Sequence, residues 1–95
     1  MKISECLWLD QFVDKIIRKH HVSPEEVEEV LSEDVTILRR LEGGRVKGED
    51  LYIAFGKTAA GRSLTVLFVK KSDRRALIIS ARDMTKRERK TYGKR

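Results

Sequence analysis

The sequence predicts an α+β fold: a short N-terminal strand, two helices, an antiparallel sheet of about four strands and a basic C-terminal helix. Two observations support this prediction. Apolar residues recur with helical spacing up to residue 31, whereas from residue 35 onward they lie in short extended runs separated by turn signals. A chain of 95 residues has room for one core of this kind, so we expect a single domain over residues 1–95.

The N-terminal segment is predicted to hold a short strand followed by a helix. The run "CLWLD" is typical of a strand, and Asp10 is expected to cap a helix over "QFVDKIIRKH". That helix should end near His20 and His21. Its apolar stripe is formed by Phe12, Val13, Ile16 and Ile17.

A second helix is indicated by the run "SPEE". Ser23 is a good N-cap, Pro24 suits the first helical position, and Glu26 stands three residues after the cap, where it can bond back to the Ser23 backbone. The buried face of this helix should consist of Val27, Val30 and Leu31.

The strands of the sheet are predicted at "VTILRRL", "LYIAFGK", "SLTVLFVKK" and "RALIISAR". The connections "EGGRVKG", "TAAG" and "KSD" are short, which favours an antiparallel meander. The uninterrupted apolar runs "VLFV" and "LII" indicate central strands that are covered, at least in part, on both faces. The two helices can cover one face, and a partner protein is a candidate for the other.

The C-terminal segment "TKRERKTY" is predicted to form a basic helix. Thr85 and Glu88 have the spacing of a capping box, and Gly93 should stop the helix after about Tyr92. Thr85, Arg89 and Tyr92 should share one face. The helix has little apolar surface of its own, so an anionic partner would supply what packing does not. The alternative is a solvated charged face without a function.

Charge is distributed unevenly along the chain. Residues 1–34 hold four Lys or Arg against nine Asp or Glu, residues 35–81 hold ten against four, and residues 82–95 hold seven against two. The chain therefore joins an acidic front to a basic back, and its formal net charge is +6. This layout favours a surface that meets phosphates, as in proteins that bind nucleic acid.

Several classes of chemistry are disfavoured by the sequence. The two histidines are adjacent and far from the single cysteine, Cys6, so no metal-ligand spacing is present, and we expect no metal or other cofactor. The glycines match neither nucleotide-binding fingerprint, and no Ser or Cys stands in a recognisable nucleophile context. Without an apolar leader or a long apolar run, the expectation is a cytoplasmic protein that does not contact a membrane.

The remaining polar residues suit RNA cleavage without a metal. That reaction needs a base near the 2′-OH, an acid for the departing 5′-oxygen and fixed cations around the crowded phosphorane. For His20 the alternative is a helix-terminal histidine that binds a carbonyl or complements the dipole. For Arg82, expected on the strand face of Ile78 and Ser80, it is a surface salt bridge. Candidate residues are Lys19, His20, Arg62, Arg82 and Arg89, with Tyr92 as a stacking or hydrogen-bonding group.

The motifs "KHHVSPEE", "GRSLTVLFV" and above all "ISARDMTKRERKTY" are distinctive in their order and spacing. With the pattern W-x-D near the start, they resemble the BrnT family of bacterial type II toxins from Trp8 to Tyr92. The resemblance implies a RelE-like microbial ribonuclease fold and metal-independent endoribonuclease activity. It also implies neutralisation by a BrnA antitoxin with a ribbon-helix-helix DNA-binding domain. A homodimer is an alternative assembly.

The family's functional positions are carried over by the resemblance. Arg82 and Arg62 are then expected to stabilise phosphate, while His20 or Lys19 handles protons. Arg89 and Tyr92 also match the family. Together with Lys86, Arg87 and Lys90, the other cations of the basic C-terminal helix, they are expected to bind RNA. Further matching positions are Glu49, Gly61 and Thr85.

Two positions depart from the family pattern. The family usually has Gly where this chain has His21, and Arg or another polar residue where it has Leu51. These departures favour the alternative function, a catalytically silent module that keeps the fold and binds nucleic acid or a partner protein. A gene for a small ribbon-helix-helix protein beside this one would favour the toxin.

Overall fold

A computed structural model describes residues 3–32, 37–42 and 49–93 of the chain. Its elements are β1 (Glu5–Leu7), α1 (Asp10–His20), α2 (Pro24–Ser32), β2 (Ile37–Glu42), β3 (Asp50–Lys57), β4 (Ser63–Lys70), β5 (Arg75–Asp83) and α3 (Lys86–Gly93). The predicted α+β class is confirmed. Residues 35 and 36 of the first predicted meander strand, and most of the turn after it, lie outside the described residues. Among the described helices, none is long and apolar enough to cross a membrane.

The sheet has five strands in the order β1-β5-β4-β3-β2. Strands β2 to β5 form the predicted antiparallel meander. The short strand β1 was predicted as a separate element, but it pairs in parallel with the start of β5, where Glu5 to Leu7 face Arg75 to Leu77. The sheet is therefore mixed.

The core lies between the sheet and the first two helices. Helix α1 packs on β5, and α2 packs on β3 and β4. The prediction that the two helices cover one face is therefore confirmed. The fully buried members of this core include Ile16, Val22, Val27, Val30, Ala54, Leu64, Val66, Phe68, Ile78 and Ala81. We call the opposite face of the sheet the open face; α3 covers one end of it.

Helix α1 differs from the prediction at two residues. Its N-cap is Leu9 rather than Asp10, because the extended Leu9 carbonyl already accepts from the N–H groups of Phe12 and Val13 at 2.9 and 3.1 Å. Asp10 instead lies in the first turn, where a carboxylate favours the helix dipole. Ile17 was predicted in the buried stripe but is 46% exposed, since it is rotated by about 100° from the buried Ile16.

Helix α2 begins with the predicted capping box. The Ser23 hydroxyl accepts from the Glu26 N–H at 3.2 Å, and the Glu26 carboxylate accepts from the Ser23 N–H at 3.0 Å. Val27 and Val30 are fully buried, and Leu31 packs against the core from a partly buried position.

Strand β5 contains an irregularity that changes the side-chain directions along it. Ser80 pairs with Leu67, whereas Ile78 pairs with Phe68, so one extra residue lies between the two pairs. Ile78 therefore points into the core, while Ser80 and Arg82 point to the open face. The prediction that Arg82 shares a face with Ser80 holds, but the prediction that it also shares one with Ile78 was wrong, because it assumed unbroken alternation.

Candidate active site

Most of the predicted site residues lie at one end of the sheet, where four elements meet. Strand β5 ends at Asp83, β4 begins at Ser63, α1 ends at His20 and α3 begins at Lys86. The Met84 N–H donates to the Ser63 carbonyl at 3.1 Å, which ties the chain after β5 to the start of β4. Two arginines organise this end of the sheet, and their surroundings differ.

The first group, here called the Arg82 cluster, consists of Arg82, Glu88, Thr65 and Thr85. Arg82 donates from Nη1 to Glu88 Oε1 at 2.7 Å and from Nη2 to Glu88 Oε2 at 2.9 Å, so the ion pair is bidentate. Nη1 also donates to the Asp83 carbonyl at 3.2 Å. The Arg82 side chain is 35% exposed and that of Glu88 only 19%. Arg82 thus forms a salt bridge, but one that is partly withdrawn from solvent.

The Glu88 carboxylate is fixed by three elements at once. Besides Arg82 of β5, it accepts from the Thr85 N–H at the start of α3 and from the Thr65 hydroxyl of β4, both at 2.9 Å. The Thr85 hydroxyl accepts from the Glu88 N–H at 3.1 Å, which confirms the predicted capping box. Hydrogen bonds from these groups lower the pKa of Glu88 to about 2, and the bond from Arg82 has the largest effect. Glu88 is therefore ionised at neutral pH and is too weakly basic to act as a general base.

The second group, here called the Arg62 cluster, consists of Arg62, Glu26, Asp83 and the backbone carbonyls of His20 and His21. Arg62 Nε donates to Asp83 Oδ1 at 2.7 Å, and Nη2 donates to Asp83 Oδ2 at 3.2 Å and to the His20 carbonyl at 3.1 Å. Nη1 donates to the His21 carbonyl at 2.7 Å and to the Glu26 carboxylate at 3.1 Å. One side chain thereby connects the α1–α2 junction to the ends of β4 and β5.

The carboxylates of the Arg62 cluster are both held in the ionised form. The hydrogen bond from the Ser23 N–H is the largest cause that lowers the pKa of Glu26, and Arg62 adds to it. For Asp83, hydrogen bonding from Arg62 lowers the pKa most, and the charges of Arg89 and of His20 lower it further. Asp83 therefore feels the charges of three of the predicted site residues, which the fold brings to this end of the sheet.

The two arginines differ in the donors that they have left. A guanidinium has five N–H groups, and all five of Arg62 are used within its cluster. Arg82 uses both Nη1 hydrogens and one of Nη2. Its Nε–H and the second Nη2–H make no hydrogen bond to any residue that the structure describes. These two parallel donors form the side-on fork that binds a phosphate in bidentate fashion.

His20 lies half-buried at the end of α1, and the neighbouring Lys19 is exposed. The His20 ring makes no hydrogen bond within the described part of the chain, so the alternative of a carbonyl-bound ring is not what the structure shows. As a basic residue in the last turn, His20 still complements the helix dipole. Its position near Asp83 brings it to the same end of the sheet as Arg82.

His21, the first departure from the family pattern, has a left-handed backbone with φ 54° and ψ 37°. Its N–H donates to the Ile17 carbonyl and closes the helix, a position where glycine is usual because a Cβ is strained there. The departure therefore concerns the end of α1 rather than a reacting group.

We expect His21→Gly to stabilise the fold by about 0.5–1 kcal/mol, because relief of left-handed strain exceeds the entropy that glycine adds to the unfolded chain. Urea unfolding measures the difference. Arg74→Gly is the matched control, since Arg74 has φ 69° and should gain a similar amount. A loss of stability in His21→Gly would show that the imidazole itself holds the helix end.

Helix α3 presents an exposed cationic surface. Arg89 donates to the Met84 carbonyl at 3.4 Å, and Tyr92 is half-buried. Lys86, Arg87, Arg89 and Lys90 are all exposed. The predicted RNA-binding residues are thus accessible to a ligand, next to the Arg82 cluster.

The second departure, Leu51, lies on the open face. Its cross-strand partner is Val69, and Ile53 pairs with Leu67. With Phe55, these five half-buried side chains form a contiguous apolar area, here called the open-face patch. The preceding Glu49 binds Lys71 Nζ at 2.8 Å.

Other nucleophile and metal chemistry finds little support among the side chains described. Burial, followed by the charges of Glu28 and Glu5, raises the pKa of the Cys6 thiol to about 11, so the thiolate is rare at neutral pH. Within the described ranges, no three His, Cys, Asp or Glu side chains are grouped so as to hold a metal ion.

Sequence reasoning missed the partners of the two arginines. Glu88 and Glu26 were identified only as capping-box residues, and Asp83 was not singled out. One signal was present, since both capping boxes place a carboxylate at the third helical position and a salt bridge was the alternative considered for Arg82. The fold brings Glu88 to Arg82 and Glu26 to Arg62.

Comparison with known proteins agrees with the resemblance. A family model described as "Ribonuclease toxin, BrnT, of type II toxin-antitoxin system" matches residues 8–88, which include both arginine clusters. A search of curated proteins finds no match. The chain belongs to the BrnT family of ribonuclease toxins of type II toxin-antitoxin systems.

Proposed function

We propose that this chain is a metal-independent endoribonuclease that cleaves RNA by attack of the 2′-OH on the adjacent phosphorus. Family membership supports the ribonuclease class. The proposed site rests on one observation. Glu88 holds the Nη1–Nη2 edge of the Arg82 guanidinium, and the Nε–Nη2 edge keeps two N–H donors for a ligand. An RNA substrate would place this activity in the cytoplasm. For the fold, we propose the RelE-like type that the family resemblance implies.

In the proposed reaction Arg82 stabilises the phosphorane. The 2′-oxygen forms a bond to phosphorus as its proton passes to a base, and the bond from phosphorus to the 5′-oxygen then breaks as that oxygen gains a proton. The products are a 2′,3′-cyclic phosphate and a 5′-OH. Negative charge grows on the phosphoryl oxygens along this path, so a fixed bidentate cation lowers the barrier.

Proton transfer is assigned to His20 or Lys19. An imidazole can both accept and donate a proton, and the His20 ring has no hydrogen-bond partner in the described structure that would occupy it. Lys19 is a candidate for the proton that goes to the 5′-oxygen. Neither lies in the Arg82 cluster, so bound RNA would have to contact both groups across the end of β5.

Arg62 is given a positioning role in this proposal. It was predicted to stabilise phosphate, and that prediction stays open, but all five of its N–H groups are engaged in this conformation. Its bonds to the carbonyls of His20 and His21 fix the end of α1, and its bonds to Asp83 fix the end of β5. Arg62 thus holds His20 relative to the strand that carries Arg82.

RNA binding is proposed to run mainly through phosphates and the exposed cations of α3. If its four exposed Lys and Arg side chains each contact one phosphate of a single strand, affinity should fall about 50-fold between 50 and 200 mM salt. A filter-binding titration measures this slope, and Lys86→Ala or Lys90→Ala should each reduce it by about 0.7. Affinity that does not change with salt would contradict phosphate-dominated binding.

Membership of a type II toxin-antitoxin family implies an antitoxin partner. We propose a BrnA-like ribbon-helix-helix protein that covers the open-face patch. In support, the patch is apolar, contiguous and only half-buried, and no described element beyond α3 packs on that face.

Co-expression with a small ribbon-helix-helix protein whose gene lies beside this one should therefore yield one complex in size-exclusion chromatography. Ile53→Glu in the patch should weaken it, whereas Ile17→Glu, at an exposed isoleucine of α1, should not. Separate elution of the two proteins would contradict the partner. A complex of this chain with itself that resists the antitoxin would assign the patch to a homodimer instead.

The second candidate function is the silent interaction module, which one observation favours. Leu51 makes the open face apolar where the family usually has a polar residue, and an apolar face suits a protein partner better than RNA. A cleavage assay on RNA and on the same RNA with methylated 2′-hydroxyls separates the two functions. The ribonuclease cuts only the first substrate, whereas the module cuts neither.

A further inference from the structure

We propose that Glu88 is a positioning residue for the reaction: it holds one edge of the Arg82 guanidinium so that the side-on fork faces the scissile phosphate. This inference rests on the proposed function. It concerns a residue that sequence reasoning identified only as a helix cap.

The first support is the geometry of the carboxylate. Glu88 is held by the Thr65 hydroxyl, the Thr85 N–H and both Arg82 Nη atoms, at distances of 2.7 to 2.9 Å. These contacts come from β4, β5 and α3, so the carboxylate is fixed before any RNA binds. A bidentate pair with a fixed partner leaves the guanidinium plane little rotational freedom.

The second support is the division of donors within Arg82. Glu88 takes the end of the guanidinium formed by Nη1 and Nη2, and the Asp83 carbonyl takes the other Nη1 hydrogen. The edge formed by Nε and Nη2 stays available. Loss of the carboxylate would free the arginine to rotate, and misplacement by about 1 Å can cost roughly 100-fold in rate.

The charge of Glu88 makes a prediction that a purely structural role does not. A carboxylate beside the site repels the RNA backbone, so its removal should not weaken substrate binding. Since its pKa is about 2, the charge persists at neutral pH. Loss of Glu88 should therefore lower kcat while KM stays the same or falls, which is the pattern of a group that acts in the transition state.

The chain supplies a control in Asp73, whose carboxylate accepts from Arg75 Nε at 2.6 Å and from the Arg75 N–H at 3.2 Å. Arg75 begins β5, whereas Arg82 lies near the other end of the same strand. Glutamine can replace glutamate in a capping box, so Glu88→Gln should keep the start of α3. Asp73→Asn likewise removes a carboxylate from an arginine, but outside the site.

The experiment is steady-state cleavage by the wild type, Glu88→Gln and Asp73→Asn, each assayed well below its melting temperature. We expect kcat of Glu88→Gln to fall about 10- to 100-fold with KM unchanged or lower, and kcat of Asp73→Asn to stay within about threefold. An unchanged kcat in Glu88→Gln, or an equal fall in both variants, would overturn the positioning role alone. A wild type that does not cleave would overturn the proposed function and this role with it.

Discussion

Arg82→Ala is expected to abolish RNA cleavage. The substitution removes a guanidinium that Glu88 holds in place while its side-on fork stays free, and with it the fixed positive charge opposite the phosphorane. Loss of a single oxyanion donor costs about 100- to 1,000-fold in kcat, and a charged bidentate donor should cost at least as much. Single-turnover cleavage of a labelled RNA measures the effect.

The same substitution has a structural consequence. An exposed strand-end arginine would contribute little to stability, but Arg82 is 35% exposed and pairs with a Glu88 that is only 19% exposed. Arg82→Ala leaves that carboxylate without its counterion, so we expect a loss of about 1–3 kcal/mol in the free energy of unfolding. Circular dichroism and urea unfolding establish that the variant is folded in the assay.

Arg82→Lys is the informative companion variant. It keeps the positive charge beside Glu88 but loses the planar fork, so it should recover stability without recovering the rate. Full activity in a folded Arg82→Ala protein would rule out the proposed site. Full activity in Arg82→Lys would show that charge suffices and that the fork has no role.

His20→Ala is expected to slow cleavage by about 100- to 10,000-fold, as for the loss of one proton-transfer group. The backbone carbonyl that Arg62 binds remains in the variant, so the end of α1 should stay in place. A pH–rate profile provides the specific readout, because the limb due to the imidazole should disappear. Lys19→Ala serves as the neighbouring control and should keep that limb.

A His20→Ala variant with the wild-type rate and an unchanged pH profile would contradict this assignment. If Lys19→Ala shows the large loss instead, proton transfer belongs to the lysine. Either result leaves the role of Arg82 intact, because the phosphorane cation and the proton-transfer group are separate functions.

Local signals in the sequence predicted much of the fold. The capping boxes of α2 and α3 depend on residues three apart, and the hydrogen bonds of Ser23 with Glu26 and of Thr85 with Glu88 form as expected. The meander follows from short connections between apolar runs. In contrast, the N-cap of α1 was misassigned, because Leu9 fills that position through its carbonyl and no side chain is needed.

The pairing of the site could not be predicted, because it depends on contacts distant in sequence. Arg62 binds Glu26, which is 36 residues away, and Asp83, which is 21 residues away. The irregularity in β5 turns Arg82 to the open face although Ile78 points to the core, and alternation alone cannot show this. The sequence therefore indicated Arg62 and Arg82, but not that all donors of Arg62 are engaged while Arg82 keeps two of its own.

The departures from the family pattern have different physical meanings. His21 follows the last residue of α1 with a left-handed backbone, and a side chain at this position strains the backbone. Leu51 lies on the open face beside Val69, within the patch assigned to a protein partner and on the same face as Arg82. Only the second bears on what the open face can bind.

The most direct test is product analysis after incubation of RNA with the purified wild-type chain in excess EDTA. We expect cleavage to continue, with a 2′,3′-cyclic phosphate on one fragment and a 5′-OH on the other, and to stop in Arg82→Ala. Ribosomes are added in a parallel reaction so that dependence on them is seen. Failure to cleave in every reaction, or cleavage that EDTA abolishes, would contradict a metal-independent ribonuclease centred on Arg82.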